Sequence, residues 1–142
     1  MYVRDILADK GTEVVTVTPE TTMRELSRRL VEKRIGAVVV VGADGSVAGV
    51  ISERDIVEGV AESGANCLDQ QVRTLMTSKV ITCTPETRID EIMSQMTERH
   101  IRHLPVLDNG RLAGIVSIGD VVKHRIAEAQ REAELLREYI NA

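Results

Sequence analysis

Residues 14–21 read VVTVTPET, and residues 80–87 repeat them as VITCTPET. A second segment is also repeated: residues 49–55 read GVISERD, and residues 114–120 read GIVSIGD. An internal repeat decides the architecture before any single motif does. Two copies are too few for a solenoid. They predict a pseudo-symmetric pair in which each copy buries the same face against the other, so that any site formed at the seam should occur twice.

Composition limits what the chain can do. At 142 residues it has the length of one ordinary domain, and each copy alone would be marginally stable, which favours packing of one copy on the other. Aromatic residues make up 1% of the chain, so the stacking surfaces needed for single-stranded nucleic acid are missing. The net charge of −4 also argues against a nucleic-acid backbone or an anionic membrane as partner.

The distribution of apolar residues and cysteines indicates the cellular compartment. No apolar run reaches membrane-spanning length, and no basic-then-apolar signal segment begins the chain. Cys67 and Cys83 are the only cysteines, and they stand in dissimilar contexts. We therefore expect a cytoplasmic protein with reduced thiols, and a Cys67–Cys83 disulfide is the less favoured alternative.

Each copy is predicted to run strand, helix, strand, strand, helix. The β-branched residues 14–17 and 80–83 predict the first strand, and the Thr-Pro pair that follows ends it, because proline cannot donate to a ladder. The sequences Thr22-Met23-Arg24-Glu25 and Thr87-Arg88-Ile89-Asp90 predict capping boxes at the first helix of each copy. Apolar residues then recur at helical spacing, namely Met23, Leu26 and Leu30 in one copy and Ile89, Ile92, Met93 and Met96 in the other.

A hairpin and a second helix complete each copy. Asp44-Gly45 and Asn109-Gly110 are strong signals for tight turns between two strands. The second helix is predicted to begin at the Ser-x-x-Asp sequence that closes each copy. The apolar runs that flank the turns predict the strands, at residues 37–41 and 47–51 in the first copy and at residues 103–107 and 112–116 in the second.

The remaining segments set the predicted boundaries. Residues 3–7 match residues 72–76 and are predicted to lead into each copy, and residues 59–71 form a polar connector rich in small residues. We place the first repeat at residues 1–64, the second at residues 65–126, and a C-terminal amphipathic helix at residues 127–142.

The C-terminal segment carries an apolar seam, defined by Val122, Ile126, Ala129, Ala133, Leu136 and Ile140. These residues are spaced 4, 3, 4, 3 and 4 apart, which is a heptad pattern. Two interpretations remain open: the helix lies on its own domain, or it pairs with a second chain.

The Ser-x-x-Asp sequences also allow two interpretations. Serine at a helix N-cap with a carboxylate three residues on is a capping box, which stabilises a helix by about 1 kcal/mol. However, Gly49 and Gly114 each precede the serine by three residues, and glycine in a strand often marks the close approach of a backbone or a ligand. A helix N-terminus favours phosphate, and a neighbouring carboxylate can bind the hydroxyls of a ribose. Together they point to a nucleotide.

The doubled unit, closed by GVIS-x-x-D and GIVS-x-x-D, resembles the tandem CBS (cystathionine β-synthase) domain pair over about residues 1–126. The resemblance implies an α+β fold in which two β-α-β-β-α repeats pack pseudo-symmetrically through their sheets, with a C-terminal helix here. It also implies two clefts between the repeats, adenosine ligands such as AMP, ADP, ATP, NAD or S-adenosylmethionine, and often a disc-like homodimer. A stand-alone pair of this kind implies a regulatory module with no obligatory cofactor and an unidentified protein target.

The resemblance also implies which residues form each cleft. In what we call the Asp55 cleft, Asp55 would hold the ribose, Ser52 and Arg54 the phosphate, and the second copy would supply the rest, Lys79, Ile101 and Arg102. In the Asp120 cleft, Ser117, Gly119 and Asp120 would take the corresponding places, with Thr12, Ile35, Gly36 and Ala37 from the first copy and His103 near the phosphate. Because Arg54 corresponds to Gly119, the two clefts are expected to differ in affinity.

Three functions are weighed on this basis. A regulatory nucleotide-binding module is favoured, and the alternative is a structural or interaction homodimer whose Ser-x-x-Asp sequences only cap helices. An enzyme is disfavoured, because His100, His103 and His124 form no trio with a nucleophile and a third group, and no phosphate-binding glycine loop is present. The same histidines lack acidic or thiol partners at metal-ligand spacing, so no metal site is expected.

Overall fold

The computed structural model describes all 142 residues and confirms the α+β class. The first copy contains β1 (Thr16–Val17), α2 (Met23–Lys33), β2 (Ala37–Val41), β3 (Val47–Ser52) and α3 (Glu53–Ser63), preceded by α1 (Val3–Lys10). The second contains α4 (Val72–Leu75), α5 (Ile89–Arg99), β4 (His103–Asp108), β5 (Arg111–Ser117) and α6 (Ile118–Asn141). Both hairpins and both helix starts at Ser-x-x-Asp form as predicted.

The two sheets differ at their first strand. In the first copy β1 pairs parallel with β2, and β2 pairs antiparallel with β3. In the second copy only β4 and β5 form a ladder, so the strand predicted at residues 80–83 is wrong. A single bridge between Cys83 and Val106 remains there. Pro105 explains the difference: its counterpart Val39 donates its N–H to Val15, but proline has no N–H to offer Ile81.

The predicted helix caps are only partly observed. The Thr22 hydroxyl accepts from the Glu25 N–H at 3.2 Å, as the sequence indicates. The predicted cap at Thr87 is wrong, because α5 has Arg88 as its N-cap residue. Thr87 instead accepts from the Thr84 N–H at 3.0 Å. It repeats the role of Thr21, which stands 66 residues earlier and accepts from the Thr18 N–H.

The two repeats exchange their lead-in helices. The Val3 N–H donates to the Thr87 carbonyl at 2.9 Å, and the Val72 N–H donates to the Thr21 carbonyl at 2.7 Å. Helix α1 therefore packs into the core of the second copy, and α4 packs into the core of the first. Each core draws on both halves of the chain, so residue 64 separates the sequence repeats but not the cores.

The segment predicted as a connector is folded. Gly59 lies inside α3 and is buried, and a Cβ placed on it would come 2.5 Å from the Cys67 sulfur. A 3₁₀ segment, Gly64–Asp69, follows α3 and buries Cys67 in the first core. Cys67 and Cys83 are both free thiols.

Candidate ligand-binding clefts

The Asp55 cleft is an open cavity of about 760 Å³ between the two repeats. The first repeat supplies the start of α3 and the end of β3, and the second supplies the chain after α4 and the loop before β4. All six residues that the sequence places in this cleft line the cavity: Ser52, Arg54, Asp55, Lys79, Ile101 and Arg102. Sequence reasoning missed or did not place Val50, Glu53, Val57, Glu58, Thr77, Val80, Ile81 and His100, which also line it.

Asp55 serves the helix cap and faces the cavity at the same time. Its Oδ2 accepts from the Ser52 N–H at 2.8 Å and from the Ser52 hydroxyl at 3.2 Å. Its Oδ1 makes no hydrogen bond within the protein. The capping and binding interpretations of Ser-x-x-Asp are therefore compatible, because one carboxylate oxygen holds the helix start and the other remains available to a ligand.

The cleft also carries positive charge without protein partners. Lys79 and Arg102 line the cavity, and neither has a carboxylate within ion-pair distance, whereas Arg54 is paired with Glu58 at 3.2 Å. Two unpaired cations beside a helix N-terminus form an environment that favours an anion. Glu53 and Asp55, at the start of α3, place negative charge in the same cavity and partly offset these cations.

Gly49 is required by a backbone and not by a ligand. A Cβ at this position would come 2.7 Å from the Met76 sulfur and 2.8 Å from the Thr77 carbonyl oxygen. Val50 and Thr77 exchange two backbone hydrogen bonds of 3.0 Å across this contact. The glycine therefore allows the chain after α4 to lie against β3, which brings Lys79 to the cavity.

The Asp120 cleft is arranged differently. Asp120 Oδ2 accepts from the Ser117 N–H at 2.9 Å and from Lys10 Nζ at 2.7 Å. Lys10 Nζ also donates to the Ile115 carbonyl at 2.9 Å. Burial of the carboxyl group would raise the pKa of Asp120, but the hydrogen bonds from Lys10 and Ser117 and the charge of Lys10 outweigh it, so this pKa lies below its usual value. The sequence analysis missed Lys10, although Lys10 and Lys79 stand 69 residues apart, as Val3 and Val72 do.

His103 and Gly36 were predicted for the Asp120 cleft, and both line the cavity of the Asp55 cleft. Burial and the positive charge of Lys10 lower the pKa of His103, while Asp120 and Glu53 act in the opposite direction. The pKa of His103 therefore depends on charged residues from both clefts.

The other residues predicted for the Asp120 cleft line no part of the 760 Å³ cavity. Ala37 is buried in β2, Ile35 is half-buried, and Thr12 and Gly119 are exposed. Ser117 caps α6 by accepting from the Asp120 N–H at 3.1 Å. The structure thus brings the Asp55 residues together around a cavity, while Asp120 faces Lys10.

The fold and the cavity define a class of protein: two β-α-β-β-α repeats packed as a pseudo-symmetric pair, with a ligand-sized cleft at an acidic helix start. The model of the CBS domain matches this chain twice, over residues 3–62 and 72–127. The chain belongs to the CBS-domain family. CBS pairs of this family are regulatory, ligand-binding modules.

Individual relatives agree with this assignment. The chain is 34% identical to the CBS domain-containing protein CBSX3, mitochondrial, of Arabidopsis thaliana, over 97% of this chain and 71% of that protein. Its sequence is 49% identical to that of the CBS-domain containing protein ATU1752 from Agrobacterium tumefaciens. The crystal structure of that protein matches with a TM-score of 0.85 over 87% of this chain and 92% of that one. The CBS domain pair of protein MJ0100, solved with 5'-methylthioadenosine and S-adenosyl-L-methionine, is 25% identical, with a TM-score of 0.77 over 87% of this chain and 98% of that one.

None of the helices combines the length and the apolar character that crossing a membrane requires.

Proposed function

We propose that this protein is a regulatory module that binds an adenosine nucleotide of the AMP, ADP, ATP or NAD type in the Asp55 cleft and does not convert it. One observation carries the proposal. Asp55, whose Oδ1 has no hydrogen-bond partner in the protein, lines the same cavity as the unpaired cations of Lys79 and Arg102. A ribose diol and a phosphate are the two groups that this pair of environments recognises.

The dimensions and lining of the cavity support this ligand class. A volume of about 760 Å³ lies within the range of small-molecule sites. Val50, Val80, Ile81 and Ile101 supply apolar surface that suits a base, and Lys79 and Arg102 supply positive charge that suits a phosphate. The family member MJ0100 is solved with two adenosine compounds, which is the same ligand class.

The Ser52 hydroxyl supports binding without turnover. Ser52 donates its hydroxyl to Asp55 Oδ2, the oxygen that already holds the helix cap. A catalytic serine needs a base that is free to accept its proton and a third group that orients the base. Product analysis after long incubation with ATP should therefore show unchanged ATP, and release of ADP or AMP above a protein-free control would contradict this part of the proposal.

A thermal-shift screen tests binding directly. A ligand present at one hundred times its dissociation constant should stabilise the folded protein by about 2.7 kcal/mol, which raises the midpoint of a domain of this size by several degrees. The matched control variants are Asp55→Ala, which should lose the shift, and Glu62→Gln on the same helix, which should keep it. If AMP, ADP, ATP, NAD and S-adenosylmethionine all leave the wild-type midpoint unchanged, the proposal fails.

We propose a homodimer as a second feature, and one observation favours it. The residues of the apolar seam point away from the domain, with Val122 46%, Ile126 54% and Leu136 62% exposed. Val57 on α3 corresponds to Val122 on α6, and it is 66% exposed. Apolar residues at heptad spacing on an exposed helix pair well with a second copy of the same helix. The interaction homodimer without a ligand therefore remains the alternative function.

Sedimentation separates the seam from the rest of α6. The double variant Ala133→Glu with Leu136→Glu should lower the sedimentation mass, because it places four carboxylates in a paired seam. The control, Ala127→Glu with Leu135→Glu, changes the same residue types on the outer face and should keep the mass. An equal mass for both double variants would contradict pairing through the seam.

The cytoplasmic compartment and a protein target belong to the same proposal. The two free, buried thiols support a reducing compartment. A regulatory module requires a target whose activity follows ligand occupancy, and pull-down with and without the bound nucleotide tests for one.

A further inference from the structure

Equivalent backbone carbonyl groups in the two clefts accept hydrogen bonds from different donors. In the Asp55 cleft the Val50 carbonyl accepts from the backbone N–H of Thr77 at 3.0 Å. At the equivalent position the Ile115 carbonyl accepts from the side chain of Lys10 at 2.9 Å. The ammonium group of Lys10 therefore takes the place that a backbone N–H occupies in the Asp55 cleft, and it also contacts Asp120.

Two different helix ends account for this. Helix α1 continues to Lys10 and ends at Gly11, whose φ of 95° is available to glycine and strained for other residues. Helix α4 ends at Leu75, and the chain that follows it pairs with β3 through Thr77. Lys10 thus lies in the last turn of a helix beside Asp120, whereas Lys79, which stands 69 residues later, lies beyond the end of its helix and lines the open cavity.

The position of Lys10 conflicts with a ligand at Asp120. The ammonium lies 2.7 Å from the carboxylate that corresponds to the ribose-binding Asp55, and the pair is largely shielded, with side-chain exposures of 33% and 21%. Leu7, one turn earlier on α1, packs against Gly114, where a Cβ would come 2.7 Å from its Cδ2. Asp120 Oδ1, like Asp55 Oδ1, has no hydrogen-bond partner in the protein, so the obstacle to a ligand at Asp120 is the ammonium group beside the carboxylate, with which the ligand must compete.

We propose that Lys10 acts as an internal competitor that keeps the Asp120 cleft closed, so that each chain binds one adenosine ligand, in the Asp55 cleft. This inference rests on the proposed function. The apparent affinity of a site falls in proportion to the fraction of molecules in which the site is open. Removing the ammonium should therefore strengthen binding at the Asp120 cleft by about tenfold or more.

The test is the number of ligands bound per chain, measured by isothermal calorimetry and equilibrium dialysis with AMP, ATP and S-adenosylmethionine as probes. The variant Lys10→Met keeps the length and apolar stem of the side chain and removes its charge. Asp9→Asn is the matched control, because Asp9 is the neighbouring residue, contacts His124 on α6 at 3.4 Å and does not touch Asp120. Circular dichroism and a thermal midpoint verify that each variant is folded.

The wild type and Asp9→Asn should bind one ligand, and Lys10→Met should bind two. In the Lys10→Met background, Asp55→Ala should return the number to one by removing the first site, and Asp120→Ala should do so by removing the second. Two ligands on the wild type, or one on a folded Lys10→Met, would overturn the inference while leaving the proposed function intact. Weaker binding by Lys10→Met would show instead that Lys10 contacts the ligand, and would also overturn it. A wild type that binds no probe would contradict the proposed function, and in that case a gain of one ligand in Lys10→Met would still support the competitor.

Discussion

The two clefts begin from nearly the same sequence and end in different states. Both have a glycine in the strand, a serine at the helix start and an aspartate three residues later, and both aspartates accept from the serine N–H. Asp55 nevertheless lines an open cavity, whereas Asp120 is paired with Lys10. A motif therefore fixes the local geometry of a carboxylate, and a distant segment determines what that carboxylate meets.

The chain that reaches each cleft makes the difference. Both lead-in segments carry a lysine, but Lys79 directly precedes the first-strand motif at residue 80, whereas Lys10 stands four positions before the matching motif at residue 14. On the longer helix α1 the lysine reaches the aspartate, whereas Lys79, which follows the shorter helix α4, lines the cavity and is not paired with Asp55. The longer lead-in helix thus accompanies the aspartate that is paired with a lysine, and the shorter one accompanies the aspartate that lines the cavity.

The largest expected difference between the clefts is in ligand affinity. In the proposed site Asp55→Ala removes the acceptor for the ribose hydroxyls, and because hydrogen bonds to a charged group are strong, we expect a loss of about 100-fold in affinity. Asp120→Ala should leave the affinity unchanged, because the carboxylate is paired with Lys10. Calorimetric titration of both variants with the best-binding adenosine ligand measures this. A similar loss in both variants would mean that both clefts bind.

A smaller difference is expected when the two strand glycines are changed. Gly49→Ala should lower the free energy of unfolding by about 2–3 kcal/mol, because the added Cβ meets the Thr77 backbone and the Met76 sulfur. In Gly114→Ala the added Cβ contacts only the end of the Leu7 side chain, which can rotate away. Alanine also makes the unfolded chain less flexible, which stabilises the folded state and offsets part of the loss. We expect a change of less than about 1 kcal/mol there. Urea unfolding compares the two, and equal losses would contradict this assignment of the contacts.

The smallest expected difference is in the dependence of stability on pH. The pKa of Asp120 is lowered in the folded protein, so its ion pair with Lys10 stabilises the protein above the unfolded pKa, near 3.8, and the stabilisation is lost as the pH falls toward the folded value. At pH 7 we expect the free energy of unfolding of the wild type to exceed that of Lys10→Met by about 1 kcal/mol. This difference should disappear below about pH 4.

Lys79→Met is the control for this comparison, because Lys79 has no carboxylate partner. Its unfolding free energy should follow that of the wild type across the same pH range, as measured by chemical denaturation. A gap between wild type and Lys10→Met that persists unchanged in acid would show that the lysine stabilises the fold through packing and not through its charge.

Much of the fold could be predicted from local patterns. Turn sequences fixed both hairpins, and the Ser-x-x-Asp pairs located the starts of α3 and α6, because both signals act over a few residues. The prediction failed at residues 80–83, where the β-branched pattern indicates a strand but the missing N–H of Pro105, on another strand, removes the ladder. A strand requires a partner, and the partner's capacity to donate is not visible in the strand's own sequence.

The sequence by itself determined the repeat and the class of fold, because these follow from short motifs present in two copies, and the family resemblance supplied six of the residues that line the Asp55 cavity. Only the tertiary structure decided that the lead-in helices are exchanged between the repeats and that Lys10 meets Asp120. Those contacts join residues 110 positions apart in the chain. They depend on where α1 ends and how it packs, which no local pattern encodes.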